Sequence, residues 1–189
     1  MDSDISQRSN CNARPRDDAG NLVPAIPAMV ALVEHGQHGP VGVHCTYLLP
    51  NGTDKADVPK HQHRASFGRV GGGAVRFGMP QVGLPLGVTE GIETALSIGI
   101  ACGIPVWSAL SAGGIRKLLL PPEAEHVHIG ADNDSTGTGR RAAQSAADRF
   151  LTEGRRVLVA MPPDPGTDFN DLLRNRSAIS VREEACYVA

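Results

Sequence analysis

Four short apolar runs mark the second half of the chain: LGVTE at 86–90, PVWSALS at 105–111, HVHIGAD at 126–132 and RRVLVAMP at 155–162. Each has the length of a buried strand. The segments between them change to helical spacing. IETALSIGIACG carries its apolar residues at helical intervals and is ended by Gly103, and GGIRKLLL reads as a short helical turn. STGTGRRAAQSAADRFLTEG reads as a long amphipathic helix with Ala142, Ala146, Phe150 and Leu151 inward and Gly154 past its end. GTDFNDLLRN follows as a loop whose Asp168 precedes a short helix. Strand and helix in alternation predict an α/β fold with a parallel sheet and right-handed crossovers.

The first half has a different rhythm. VPAIPAMVALVEHG reads as weakly helical, with Pro24 and Pro27 confining any helix to its later part. VGVHCTYLLPNGTDKA predicts a hairpin turning at Pro50, Asn51 and Gly52. KHQHRASFGRVGGGAVRF adds a basic cluster, a bend at Gly71–Gly73 and a further strand, so residues 40–80 are expected to form a small antiparallel unit. The opening residues are polar and without period. The expected organisation is a flexible leader at 1–21, a small N-terminal unit at 22–82, the α/β domain at 83–175 and a C-terminal tail at 176–189.

Charge changes this picture little. Eighteen basic against twenty acidic residues leave a net charge of -2, which excludes a strongly basic coat for nucleic acid and leaves only a local patch for such contact. Cys11, Cys45, Cys102 and Cys186 are widely spaced without a C-x-x-C pair. That argues against a zinc ribbon and a disulfide scaffold and fits a reducing cytoplasm. No apolar run is long enough to span a bilayer, and the start lacks the apolar core of a signal peptide.

The chemistry is concentrated where the apolar runs stop. The first ends in Glu90 before Gly91, the third in Asp132 and Asp134 before Ser135 and Gly137. Acids at strand ends fall on the carboxyl edge of a parallel sheet, where ligands bind, and three carboxylates gathered there repel one another unless a cation such as Mg²⁺ shares them. Each acid also has a plainer role open to it. Glu90 suits the first turn of a helix through the dipole, and Asp134 could cap the helix that starts near Ser135. His35, His38, His44, His61 and His63 match no structural zinc spacing. Lys55, Lys60, Arg64, Arg69 and Arg76 make a basic strip suited to a polyphosphate backbone, or an ordinary solvated face.

In order along the chain, VTEGIETALS, VWSALSAGGI, ADNDSTGTGRRAA and GTDFNDLL resemble the recurring phrases of the Toprim domain, nearest to the primase segment of phage and plasmid replication proteins. HCTYLLPNGTDKA and FGRVGGGAVRF are similar to the segment those proteins carry just before it, so the resemblance covers roughly residues 40 to 175. It implies a Toprim-like, mainly parallel four-stranded sheet flanked by helices and preceded by a small β-rich unit. It further implies Glu90 as general acid or base, and Asp132, Asp134 and Asp168 as ligands of Mg²⁺ or Mn²⁺. Lys60, Arg64 and Arg69 would contact nucleic acid. Asn170 and Thr94 stand where such primases have acids, with Asp171 or Glu93 as substitutes. The implied function is RNA primer synthesis from NTPs on single-stranded DNA, with a separate replicative helicase as partner and no membrane association. An Mg²⁺-dependent nuclease and a non-catalytic module binding DNA or a replication protein are the alternatives.

Overall fold

The computed structural model describes residues 15–17, 19–23, 26–175 and 177–186, so the leader expected at 1–21 lies largely outside the described residues. In chain order the strands are β1 (Ala28–His35), β2 (Gly39–Tyr47), β3 (Arg64–Gly68), β4 (Gly73–Phe77), β5 (Leu86–Thr89), β6 (Val106–Ser108), β7 (His126–Gly130) and β8 (Arg156–Ala160). The helices are α1 (Ile92–Cys102), α2 (Ala112–Lys117), α3 (Thr138–Thr152), α4 (Phe169–Asn175) and α5 (Ala178–Cys186). The chain divides into two compact units, one holding the described residues up to Ala31 together with 42–68, the other holding 32–41 and 69–189.

The second unit is built on four adjacent parallel strands in the order β6, β5, β7, β8, with Gly87 opposite both Val106 and His128 and Ile129 opposite Val159. This is the parallel α/β core that the apolar runs predict. β4 adds an antiparallel strand on the far side of β6, Val75 opposite Ser108, and the end of β1 pairs with β4 in turn. All four residues of β5 are buried, which a strand covered on both faces requires. One face packs Val88, Trp107 and Ile129 with Ile115, Leu118 and Phe150. The other packs Val106 with Ile98, Phe169, Leu172 and Val181. Gly130 lets α1 approach this closely, because a Cβ there would lie 2.4 Å from Ile98 Cδ1.

In the first unit β2 and β3 pair antiparallel from Gly42 opposite Gly68 to Thr46 opposite Arg64. The predicted turn lies beyond β2, where Gly52 N–H donates to Leu49 O and Leu48 bridges to Lys55.

Several expectations are corrected. The stretch read as weakly helical is strand β1, with Val30 60% and Leu32 53% exposed and Val33 fully buried. An apolar run without a clear polar face does not distinguish the two periods; β1 is hydrogen-bonded to β2, which follows it directly, and at its end to β4. β4, read with the N-terminal unit, is hydrogen-bonded to β6 in the second unit. Ala142, Ala146 and Phe150 are fully buried as expected, but Leu151 is exposed, having stepped round the helix from Phe150 to the solvent side. The segment beyond 176 contains α5, which buries Val181 and Ala185 in the core. Cys45 is a buried free thiol, whereas Cys102 is disulfide-bonded: distance along the chain does not measure distance in the fold. No helix among the described residues is long and apolar enough to cross a membrane.

Candidate active site at the carboxyl edge of the parallel strands

Glu90 follows the last residue of β5 and is fixed through its backbone, since Ser108 Oγ donates to the Glu90 carbonyl at 2.9 Å. Thr89 Oγ1 donates to the Gly91 carbonyl at 2.8 Å and holds the turn into α1. Gly91 itself is extended, φ −92° and ψ 152°, and a Cβ there would make only ordinary contacts, so the turn does not demand glycine.

The glycine the site does demand is Gly139, in the first turn of α3. A Cβ at 139 would stand 2.8 Å from the Asp132 carbonyl, 3.1 Å from Asp134 Oδ2 and 3.2 Å from Glu90 Oε1. Glu90 and Asp134 therefore face one another across a single bare backbone position, and the end of β7 lies against the same glycine. Glu90 Oε1, Asp134 Oδ2 and the backbone carbonyl of Asp132 thus lie around one Cβ position.

Their electrostatics follow from that meeting. Glu90 Oε1 is buried without a hydrogen-bond partner. Burial first, then the negative charges of Asp132 and Asp134, push the Glu90 carboxyl from 4.5 up to about 7, against the smaller opposing pull of the Ala112 N–H and the Arg116 guanidinium. Asp134 moves the other way. Its Oδ1 accepts from the Thr136 hydroxyl and from the N–H groups of Thr136 and Thr138, and Oδ2 accepts from Gly139 N–H at 2.7 Å, which holds the carboxyl well below its usual range. Asp134 is thus the capping acid of α3 as well as a wall of the site. Thr94, buried in α1 where the resemblance leads one to look for an acid, donates its hydroxyl to Asp132 Oδ1 at 3.4 Å.

Asp168 reaches this edge through its loop. Asn133, between the two aspartates, donates its N–H to Thr167 O at 3.0 Å and its Nδ2 to Pro162 O at 2.9 Å, and its carbonyl accepts from Gly166 N–H. The loop ending in Asp168 is so fastened to the D-x-D backbone. Asp168 and Asp171 cap each other reciprocally, Oδ1 of the first accepting from the N–H of the second at 2.8 Å and Asp171 Oδ2 from Asp168 N–H at 3.1 Å. Among the described residues no three His, Cys, Asp or Glu side chains are grouped tightly enough to hold a metal ion as they stand.

Lys60 lies in a 3-10 turn and Arg64 opens β3, both exposed in the first unit; Arg69 is exposed in the second. Arg76 is committed elsewhere, its guanidinium 4.2 Å above the Trp107 ring. His35 stacks on His38, His44 bonds Ser66 and His63 bonds the Val58 carbonyl. Gly139 and Asn133 were not foreseen as site residues. The one available signal for Gly139 was a second glycine after Gly137 inside an otherwise good helix, where glycine costs roughly 1 kcal/mol relative to alanine.

The family model of the Toprim domain matches residues 85–178, and that of a domain of unknown function, DUF7146, matches residues 4–77. Among solved structures, the RNA polymerase domain of Mycobacterium tuberculosis primase DnaG is 17% identical with a TM-score of 0.52, over 92% of this chain and 60% of that one. The same domain in complex with double-stranded DNA is 16% identical with a TM-score of 0.51, over 92% of this chain and 57% of that one. A DnaG primase catalytic domain bound to ssDNA is 18% identical with a TM-score of 0.53, over 86% of this chain and 53% of that one. The chain spans less than two thirds of each of these chains, and at these identities the likeness is one of fold. Residues 85–178 form a Toprim domain, which carries Glu90, Asp132, Asp134 and Asp168.

Proposed function

We propose that this chain is a primase-like nucleotidyltransferase that makes RNA primers from NTPs on single-stranded DNA, in a phage or plasmid replication system with a separate helicase as partner. The observation that carries the reading is Glu90: a carboxylate with one oxygen buried and unpaired, facing Asp134 across Gly139, with its pKa raised to about 7. A group so placed takes and returns a proton near neutral pH, which is the role a general acid or base fills when a 3′-hydroxyl attacks a phosphorus. Likeness of fold to the RNA polymerase domain of a primase over 92% of the chain, well beyond the Toprim domain itself, favours primer synthesis over phosphodiester cleavage.

The residues fit a divalent cation by their chemistry. Hard carboxylate oxygens repel one another around Glu90 Oε1, and a cation relieves both the repulsion and the orphaned oxygen. Asp132 and Asp134 would hold Mg²⁺, with Asp168 completing the set. Bound there, Mg²⁺ lowers the pKa of a hydroxyl and neutralises phosphate charge. Within the chain Glu90 handles the proton, Thr94 orients Asp132, and Asn133 keeps the Asp168 loop against the aspartates. Lys60, Arg64 and Arg69 supply exposed positive charge for the template backbone.

The test is incubation with single-stranded template, labelled NTPs and Mg²⁺. Primer formation that disappears in Glu90→Gln and in Asp132→Asn supports the reading. Cleavage of labelled DNA without polymerisation would replace it by a nuclease, and template binding with neither activity by a binding module.

A further inference from the structure

The first turn of α3 forms one wall of the site, because Gly139 touches the carboxylates directly. The next two residues are arginines, and the structure uses them differently. Arg141 is folded back on its own turn: Nη1 donates to Thr136 O at 3.0 Å and Nη2 to Thr138 Oγ1 at 3.3 Å. It braces the loop that Asp134 caps. Arg140 is exposed and has no ion-pair partner among the described residues, and its guanidinium lies against the thioether of Met161, Nη2 to Sδ 3.8 Å. Met161 directly follows β8, whose Ala160 is paired with Gly130 at the end of β7, so the Arg140 guanidinium sits on the same edge as the aspartates.

An arginine beside an excess of carboxylates is expected to pair with one. Arg140 instead rests on sulfur, a weak acceptor, which leaves most of its five donors unspent. A planar fork of donors matches the oxygens of a phosphate. We propose that Arg140 is a phosphate-binding arm of this site, receiving a phosphate of the substrate on the β8 side of the carboxylates, while Arg141 is a brace for the adjoining loop. The proposal deepens the functional reading above and rests on it for the identity of the substrate. The phosphate belongs either to a nucleotide triphosphate or to a polynucleotide backbone, and the chemistry of recognition is the same for both.

The experiment is binding of three probes to the full chain in Ca²⁺, which suppresses turnover: inorganic tripolyphosphate, ATP and a fluorescent single-stranded oligonucleotide. Arg140→Ala should weaken binding by about tenfold for the probe whose phosphate it holds, the worth of one charge-assisted fork. If that probe is the oligonucleotide, the slope of log affinity against log salt should fall by about 0.7, one phosphate contact fewer. Arg140→Lys should restore the slope but only part of the affinity. A loss confined to ATP and tripolyphosphate assigns the nucleotide, and a loss confined to the oligonucleotide assigns the backbone. Unchanged affinity in Arg140→Ala for every probe that the wild type binds overturns the proposal and leaves the primase-like reading standing. An equal loss in Arg141→Ala also overturns it, since the effect would then belong to the basic face as a whole. A wild type that binds none of the probes overturns both readings. Conversely, tripolyphosphate binding that depends on Arg140 in a protein without priming activity upholds the arm and sinks the polymerase.

Discussion

Replacing Glu90 by glutamine should make the protein more stable at neutral pH, and the pH dependence of that gain tests the arrangement of the site. In the folded protein the carboxyl titrates at about 7 instead of 4.5. Between those values the native state keeps a proton that the unfolded chain has released, so the native state binds more protons and stability falls as pH rises through the window. Fully withdrawn from water, such a displacement would cost ~3 kcal/mol, and the partial exposure of Glu90 with solvent screening reduces it to roughly 1–2 kcal/mol. Asp134, depressed by its cap, acts with the opposite sign: its contribution is complete above the ordinary aspartate range and is lost only as pH falls below it, so it leaves the window from 5 to 8 flat. Urea denaturation in metal-free buffer at half-unit steps from pH 5 to 8.5 measures the effect. The wild type should lose about 1–2 kcal/mol relative to Glu90→Gln across the series, the two curves meeting near pH 5, while the rise with pH that His128, lowered by burial, gives both proteins cancels in the difference. Parallel curves would refute the reasoning, because Glu90 would then be solvated and remote from the two aspartates.

Three further outcomes follow from the same geometry. Millimolar Mg²⁺ should raise the melting temperature of the wild type more at pH 8 than at pH 5.5, where Glu90 is neutral, and Asp132→Asn should abolish the increment in differential scanning fluorimetry. Gly139→Ala, a gain of roughly 1 kcal/mol in an isolated helix, should here be a net loss of about 1–3 kcal/mol by urea denaturation, since the new methyl meets the Asp132 carbonyl and two carboxylate oxygens. Phe150→Ala, which removes the largest side chain α3 places in the core, should cost about 3–5 kcal/mol without altering the pH profile of Glu90.

What could be read in advance divides along physical lines. The positions of Glu90, Asp132 and Asp134 just past the ends of β5 and β7 were readable because a short apolar run that stops in an acid places that acid at a sheet edge. Asp168 was readable from a loop leading into a short helix. Gly139 was not, because the reason for it is a carboxylate arriving from another strand, nearly fifty residues earlier in the chain. Asn133 was passed over as the spacer of a D-x-D pattern, although its bonds run to a loop thirty residues on. β1 failed for a different reason: its composition suited either period, although the strand it pairs with, β2, follows it directly. Local pattern decides elements with a buried face of their own. It misses residues whose surroundings are assembled by the sheet.

The triple fastening at Asn133 has a dynamic consequence. Its amide donates to the Thr167 carbonyl and its own carbonyl accepts from the Gly166 amide, so a motion that draws the whole loop away from Asn133 breaks both bonds together. The two amides should exchange with deuterium at one common rate. Release of the Asp168 loop would then register at the backbone between the two aspartates.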